Sequence, residues 1–211
     1  MRSFLVKLIW IAFYFFNLSV AKAEFLPQSF SAKFEQEYIS ILKGNTKKGQ
    51  GAIEYKYPSN IRFETSTPSQ VIFVSNGIKS WYYRAPFIEG EDGEVTVSNA
   101  REGSSIYIKF FDSLKNGLSA NSLYDVKNAG DGMHVVIFKE KSAKEFGIRE
   151  AVLTFNTTKD SVKDFSALKK IELLFPDGKR SSLKLIDLKV NLINDLQHFN
   201  FVIPPKTKIT N

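Results

Sequence analysis

The amino-acid sequence predicts a mainly β protein: about ten to eleven short strands joined by hairpins into one continuous meander, a barrel or half-barrel. Three observations predict it. Apolar and polar residues alternate with a period of two along most of the chain, as in strands with one buried face. Asn76-Gly77, Gly130-Asp131-Gly132 and Pro176-Asp177-Gly178-Lys179 punctuate those runs in the manner of turns. One segment, from Ser105 to Lys115, changes to helical spacing.

The first residues lie outside this pattern. Arg2 and Lys7 flank the start of an apolar run from Leu8 to Phe16, and Ala21-Lys22-Ala23 places small residues where a signal peptidase reads. These are the parts of a secretory signal, and the run is shorter than the roughly 20 residues of a membrane-crossing helix. Residues 1–23 are expected to be a leader cut after Ala23, leaving 24–211 as a single exported domain. An uncleaved membrane anchor is the alternative.

The strands follow in order. Phe30, Ala32, Phe34, Gln36 and Tyr38 alternate with Ser31, Lys33, Glu35 and Glu37. Past a polar loop at residues 44–49, Gly51, Ile53, Tyr55 and Tyr57 alternate with Ala52, Glu54 and Lys56. Pro58 interrupts, and Ile61, Phe63 and Thr65 resume. Val71 to Val74 and Ile78 to Tyr83 flank Asn76-Gly77, which predicts a hairpin with a type I′ turn and positive φ at both central residues. Val95-Thr96-Val97 is another short strand.

Ile106, Phe110, Phe111 and Leu114 then recur at three-to-four spacing before Asn116-Gly117. That reads as a short helix crossing or covering the sheet, with a strand at Ile106-Tyr107-Ile108 as the alternative. Strands return at Leu123 to Val126, Met133 to Phe138, Ala151 to Phe155, Lys170 to Phe175 and Arg180 to Val190. The run Phe199 to Ile203, before Pro204-Pro205, reads as the closing strand. No linker or internal repeat interrupts the chain.

Composition narrows the function. Losing Arg2, Lys7 and Lys22 with the leader lowers the formal net charge from +7 to +4. The charges are well mixed, without the basic stripe that nucleic acid requires. There is no cysteine, which excludes a thiol nucleophile, a thiolate metal site and a lipid-bearing cysteine after the leader. No metalloprotease, hydrolase or phosphate-loop motif is present. His134 and His198 have no carboxylate or cysteine at ligand spacing, and Glu35, Glu37, Asp92 and Glu94 sit in solvated patterns. Catalysis, a metal and a cofactor are therefore not expected.

Aromatic residues make up 14% of the chain. Some leave with the leader, and the rest sit mainly on strands. In a curved sheet such residues either fill a core or line a hollow, and Ile53, Tyr55, Ile61, Phe63, Phe73, Trp81 and Tyr83 are large and apolar enough for either. Alternation alone does not separate the two.

A resemblance bears on that choice. Phe30-Ser31-Ala32-Lys33-Phe34-Glu35-Gln36 resembles the F-x-A-x-F-x-Q opening of the LolA lipoprotein carriers. Gly49 to Ile53, Lys56-Tyr57-Pro58, Ile61 to Glu64, Val74 to Gly77 with Trp81-Tyr82-Tyr83, Pro86-Phe87, Glu94-Val95-Thr96 and the close Phe199 to Lys206 follow in the family's order. The resemblance implies an incomplete antiparallel barrel with a short helical lid over its mouth. It also implies a monomeric periplasmic carrier without a cofactor. Such a carrier takes lipoprotein acyl chains from an inner-membrane lipoprotein-releasing ABC transporter and delivers them to an outer-membrane receptor.

By the resemblance Ile61 and Phe63 line a hydrophobic cavity, and Ile53, Tyr55 and Tyr57 share their parity. Ile106, Phe110, Phe111 and Leu114 fall on the lid. Two positions depart from the family: Tyr57 stands where an arginine usually precedes the proline, and only Glu24 to Ser29 stand where a first amphipathic helix is usual. A module for another lipid (phospholipid or glycolipid), a lipid or lipoprotein sensor, and a filled β-domain that binds a protein are the alternatives.

Overall fold

The computed structural model describes residues 25–39, 45–88, 90–100, 105–156, 164–193 and 195–210. The expected leader, residues 1–23, and the polar stretch around Lys159-Asp160 lie outside the described residues. The first six strands run in chain order: β1 (Ser29–Ile39), β2 (Thr46–Lys56), β3 (Asn60–Thr67), β4 (Val71–Asn76), β5 (Lys79–Arg84) and β6 (Gly93–Asn99). Helix α1 (Ile106–Ser113) and a 3-10 turn (Leu114–Asn116) follow. Then come β7 (Tyr124–Gly130), β8 (Met133–Phe138), α2 (Glu140–Phe146), β9 (Glu150–Phe155), β10 (Leu168–Leu174), β11 (Arg180–Val190) and β12 (Thr207–Thr210).

All twelve strands form one sheet in the order β12-β6-β5-β4-β3-β2-β1-β11-β10-β9-β8-β7. The chain walks outward from β1 to β6, crosses, and walks back from β7 to β11, which pairs with β1 (Phe34 opposite Leu185). Because β6 and β7 lie towards opposite ends of the sheet, the connection carrying α1 must pass over its face.

That face is concave. Seven strand intervals separate β3 from β7, about 34 Å in a flat sheet. Yet Phe63 on β3 stacks on Tyr107 in α1 at 4.9 Å, while Tyr124 on β7 donates to the Ser113 carbonyl at 3.2 Å. Tyr107 and Ser113 are six residues apart, about 9 Å along a helix. Only a sheet curled around α1 meets both contacts. The result is an open, mainly β half-barrel with a helix in its mouth.

Strand alternation decides what each face carries. Phe30, Ala32 and Phe34 on β1, Ile53 and Tyr55 on β2, Ile61 on β3, Val136 and Phe138 on β8, and Leu153 and Phe155 on β9 are buried in one cluster with α1. The intervening Glu35 and Glu37 point outward and pair with Lys184 at 2.9 Å and Lys48 at 3.2 Å. Ahead of β1, Phe25 and Leu26 are buried, and Phe25 packs edge-on against Phe155 and Phe165. The short segment before β1 thus enters the core.

Four readings change. The described residues form twelve strands, because β12 pairs parallel to β6 after the prolines. The run Phe199 to Ile203, expected as the closing strand, crosses the sheet instead: Gln197–Phe199 is a 3-10 turn and residues 200–204 carry no ladder. The Asn76-Gly77 hairpin forms, but only Gly77 has positive φ. Asn76 instead accepts from the backbone N–H groups of Ile78 and Lys79 at 2.9 and 2.8 Å, closing a longer turn than type I′. Helix α2 was not anticipated, although Gly147 stops it in the left-handed conformation that glycine supplies without steric cost.

Candidate functional site

The helix between Ser105 and Lys115 forms, and its N-cap is Ser105, whose hydroxyl accepts from the Tyr107 N–H at 3.2 Å. Phe110, Phe111 and Leu114 are fully buried against the concave face, with Ile106 packed at its margin. Phe111 lies 4.9 Å from the Phe30 ring and 5.3 Å from the Tyr55 ring. The hollow thus holds the side chains of α1 itself.

Ile53, Tyr55 and Ile61 form the floor under α1, fully buried, with Tyr57, Phe63 and Phe73 partly buried around them. Register accounts for this grouping: Ile53 is opposite Phe63, Tyr55 opposite Ile61, and Phe63 opposite Phe73. Trp81 and Tyr83 are not in the group. Trp81 pairs with Val74 and Tyr83 with Ile72, which belong to the other face of β4. There they meet Val95, Phe199, Phe201 and Ile203 in a second cluster beneath the crossing C-terminal segment. Tyr82, opposite Phe73 on the same side of the sheet, is the β5 aromatic that parity selects, and it is exposed.

Polar contacts fix α1 at both ends. At its start, Phe63 is stacked between Phe34 at 4.6 Å and Tyr107 at 4.9 Å. The Tyr107 hydroxyl accepts from the Gln36 side-chain amide at 3.2 Å and lies 3.3 Å from Ser181 Oγ. Burial pushes this phenol above its ordinary pKa, with the bonds to Ser181 and Gln36 acting the other way. At its end, Asp112 Oδ1 accepts from Tyr55 Oη at 2.5 Å and from the Ser59 N–H at 3.1 Å, while Oδ2 accepts from Ser59 Oγ at 2.8 Å. Burial first, then the Asp112 charge and hydrogen bond, hold the Tyr55 phenol well above its ordinary range. Tyr55 therefore remains a donor throughout the physiological range.

Two more contacts hold the same end. The single Tyr124 hydroxyl proton is shared between the Gly117 carbonyl at 2.6 Å and the Ser113 carbonyl at 3.2 Å, and the Lys115 ammonium lies 4.9 Å above the Tyr57 ring, a cation–π geometry. Sequence reasoning missed Ser59, Tyr107 and Asp112. An acidic residue in the last turn of a largely apolar helix was the available signal for Asp112. The two histidines fall elsewhere: His134 is buried in β8 edge-on to Phe155, and His198 joins the C-terminal segment to Glu54 of β2 at 2.5 Å.

The concave face under α1 is therefore apolar and rich in aromatic rings, a lining compatible with long apolar chains. The sequence profile of the family described as "Outer membrane lipoprotein carrier protein LolA" matches residues 27–202. The chain belongs to the LolA family.

Curated LolA relatives are similar over nearly the same span. An "Outer-membrane lipoprotein carrier protein" of Pectobacterium atrosepticum is 29% identical over 182 residues, covering 84% of this chain and 78% of its own. One from Sodalis glossinidius is 27% identical over 177 residues, covering 83% and 78%. A crystal structure of a LolA superfamily protein from Nitrosomonas europaea aligns over 83% of this chain and 91% of its own, at 11% identity and a TM-score of 0.43.

Proposed function

We propose that this chain is a periplasmic carrier that shields the acyl chains of lipoproteins in its concave face and ferries them from the inner to the outer membrane. One observation supports the reading most: the helix filling the hollow and the turn that follows it bury Phe110, Phe111 and Leu114 there, against Ile53, Tyr55 and Ile61. When the helix swings out, the same surface is left for an acyl chain. Each CH₂ withdrawn from water gains about 0.8 kcal/mol, so the exchange of lid side chains for lipid is close to balanced. A nearly balanced exchange permits release, and neither loading nor delivery needs bond chemistry.

The family membership and the relatives' names support the cargo. An inner-membrane releasing transporter as donor and an outer-membrane receptor as acceptor are the partners this reading requires. The test is direct. Membranes bearing a labelled lipoprotein and the releasing transporter are incubated with ATP and the purified protein. Labelled lipoprotein should appear in the soluble fraction as a one-to-one complex. If it stays in the membrane pellet, the carrier reading fails for this chain.

A further inference from the structure

We infer that Asp112 is the latch of the lid, a positioning residue that sets how readily α1 leaves the hollow. This inference rests on the carrier reading for its purpose, though not for its geometry. Three donors converge on one carboxylate: Tyr55 Oη, the Ser59 N–H and Ser59 Oγ, at 2.5, 3.1 and 2.8 Å. All three belong to the end of β2 and the turn into β3, and the acceptor belongs to α1. Among the described residues Asp112 is thus the one α1 side chain that bonds this end of the sheet, beside the Tyr124 hydroxyl that reaches the Ser113 carbonyl from β7. Bonds to a charged acceptor are roughly twice as strong as neutral ones.

Both partners occupy locally unfavourable places. Asp112 lies in the last turn of α1 (Ile106–Ser113), and that turn carries no basic residue. A negative charge there opposes the helix dipole and faces carbonyl oxygens. Ser59 holds φ at +60°, the left-handed region that a residue with a Cβ avoids. Neither choice helps its own element, and each becomes favourable only when the other is in reach. Departures from local preference that are satisfied only across a movable contact are characteristic of switch points. The apolar side chains of α1 supply affinity for the hollow, and the Asp112 contact adds a charge-assisted tie that forms only in the closed alignment.

The latch also sits where its release has the largest effect. Tyr55 is both a floor residue, stacked on Phe30 at 5.3 Å, and the donor to Asp112. An acyl chain entering beside Phe111 and Tyr55 displaces the ring that carries the hydroxyl, so loading and unlatching share one side chain. A ligand that binds only the open form pays for opening in its apparent affinity.

The experiment uses the purified protein and two readouts. Backbone hydrogen exchange of residues 106–113 is followed against that of β8 and β9. Uptake of a fluorescent anthroyloxy-stearate is followed by stopped flow. Asp112→Asn keeps the shape and removes the charge, and Ser59→Ala is the milder second variant. In Asp112→Asn, exchange in α1 should quicken about ten- to a hundred-fold, with the strands unchanged, and fatty-acid uptake should quicken in parallel. A Tyr55→Phe/Asp112→Asn double variant should fall short of the summed singles, because both remove one contact.

Unchanged exchange in α1 overturns the latch, whatever the uptake shows. Equal acceleration in α1, β8 and β9 overturns it as well, since that marks general destabilisation. Faster exchange in α1 with no uptake by any variant leaves the latch standing and counts against the carrier reading.

Discussion

Phe111 and Phe199 are both fully buried phenylalanines on opposite faces of one sheet, and truncating each separates stability from ligand binding. Phe111→Ala removes a ring packed against Phe30, Tyr55 and Phe110 at 4.9, 5.3 and 5.3 Å. Phe199→Ala removes one on the C-terminal crossing itself, packed against Ile72, Val74, Tyr83 and Val95. Either change should cost about 3–5 kcal/mol. In a domain of this size that lowers Tm by roughly 6–20 °C.

Their effects on an acyl ligand should differ. The space left by the Phe111 ring takes about four methylenes, worth roughly 3 kcal/mol or about a hundred-fold in affinity. Thermal melting with and without a long-chain fatty acid, together with a fluorescence titration, measures both quantities. Phe111→Ala should melt lower, bind more tightly and recover stability when loaded. Phe199→Ala should melt lower and keep wild-type affinity within about two-fold. Equal changes in affinity for the two variants, or none for Phe111→Ala, would refute the assignment of faces.

Three further outcomes are expected. Gly51→Ala would set a Cβ 2.0 Å from the Glu64 carbonyl oxygen and 2.6 Å from the Phe34 ring, so it should lose about 1–3 kcal/mol, measured by urea unfolding. Phe63→Glu puts a carboxylate between the Phe34 and Tyr107 rings, costing several kcal/mol unless it neutralises. It should free the start of α1 and speed hydrogen exchange at Tyr107 and Ile108.

The third concerns alkaline pH. Tyr55, Tyr107 and Tyr124 all have phenol pKa values raised by burial. Their stabilisation is whole below the unfolded pKa near 10 and is lost as pH rises from there towards the folded values. Each contributes a fall of up to about 1.4 kcal/mol per pH unit. Urea midpoints at pH 9 and pH 11 should show this fall, shallower in Tyr55→Phe. A midpoint that does not move between the two pH values would exclude it.

The sheet was legible because alternation is a local property. Phe30, Ala32 and Phe34 against Lys33 and Glu35 assign their own faces. Where both faces are covered, alternation loses its meaning. Val71 to Val74 and Trp81 to Tyr83 are continuous apolar runs because α1 and the hollow lie on one side and the C-terminal crossing on the other, so Trp81 and Tyr83 could be placed on either face. The continuity was itself the sign of a second cover, and Phe199, Phe201 and Ile203 supply it. Ser59 and Asp112 were not legible for another reason: they lie 53 residues apart, and nothing local to either names the other. Helix α1 was legible from the spacing of Ile106, Phe110, Phe111 and Leu114, whereas α2, held mostly at the surface, left only Gly147 as a sign.

The most direct test of the central claim uses a photo-crosslinking amino acid at position 61 in one variant and at position 81 in another. Each is loaded with a lipoprotein carrying a labelled acyl chain and then irradiated. Ile61 lies on the floor of the hollow and Trp81 on the opposite face, so the label should attach at position 61 and not at position 81. Attachment at position 81, or equal attachment at both, would contradict a cargo site beneath α1.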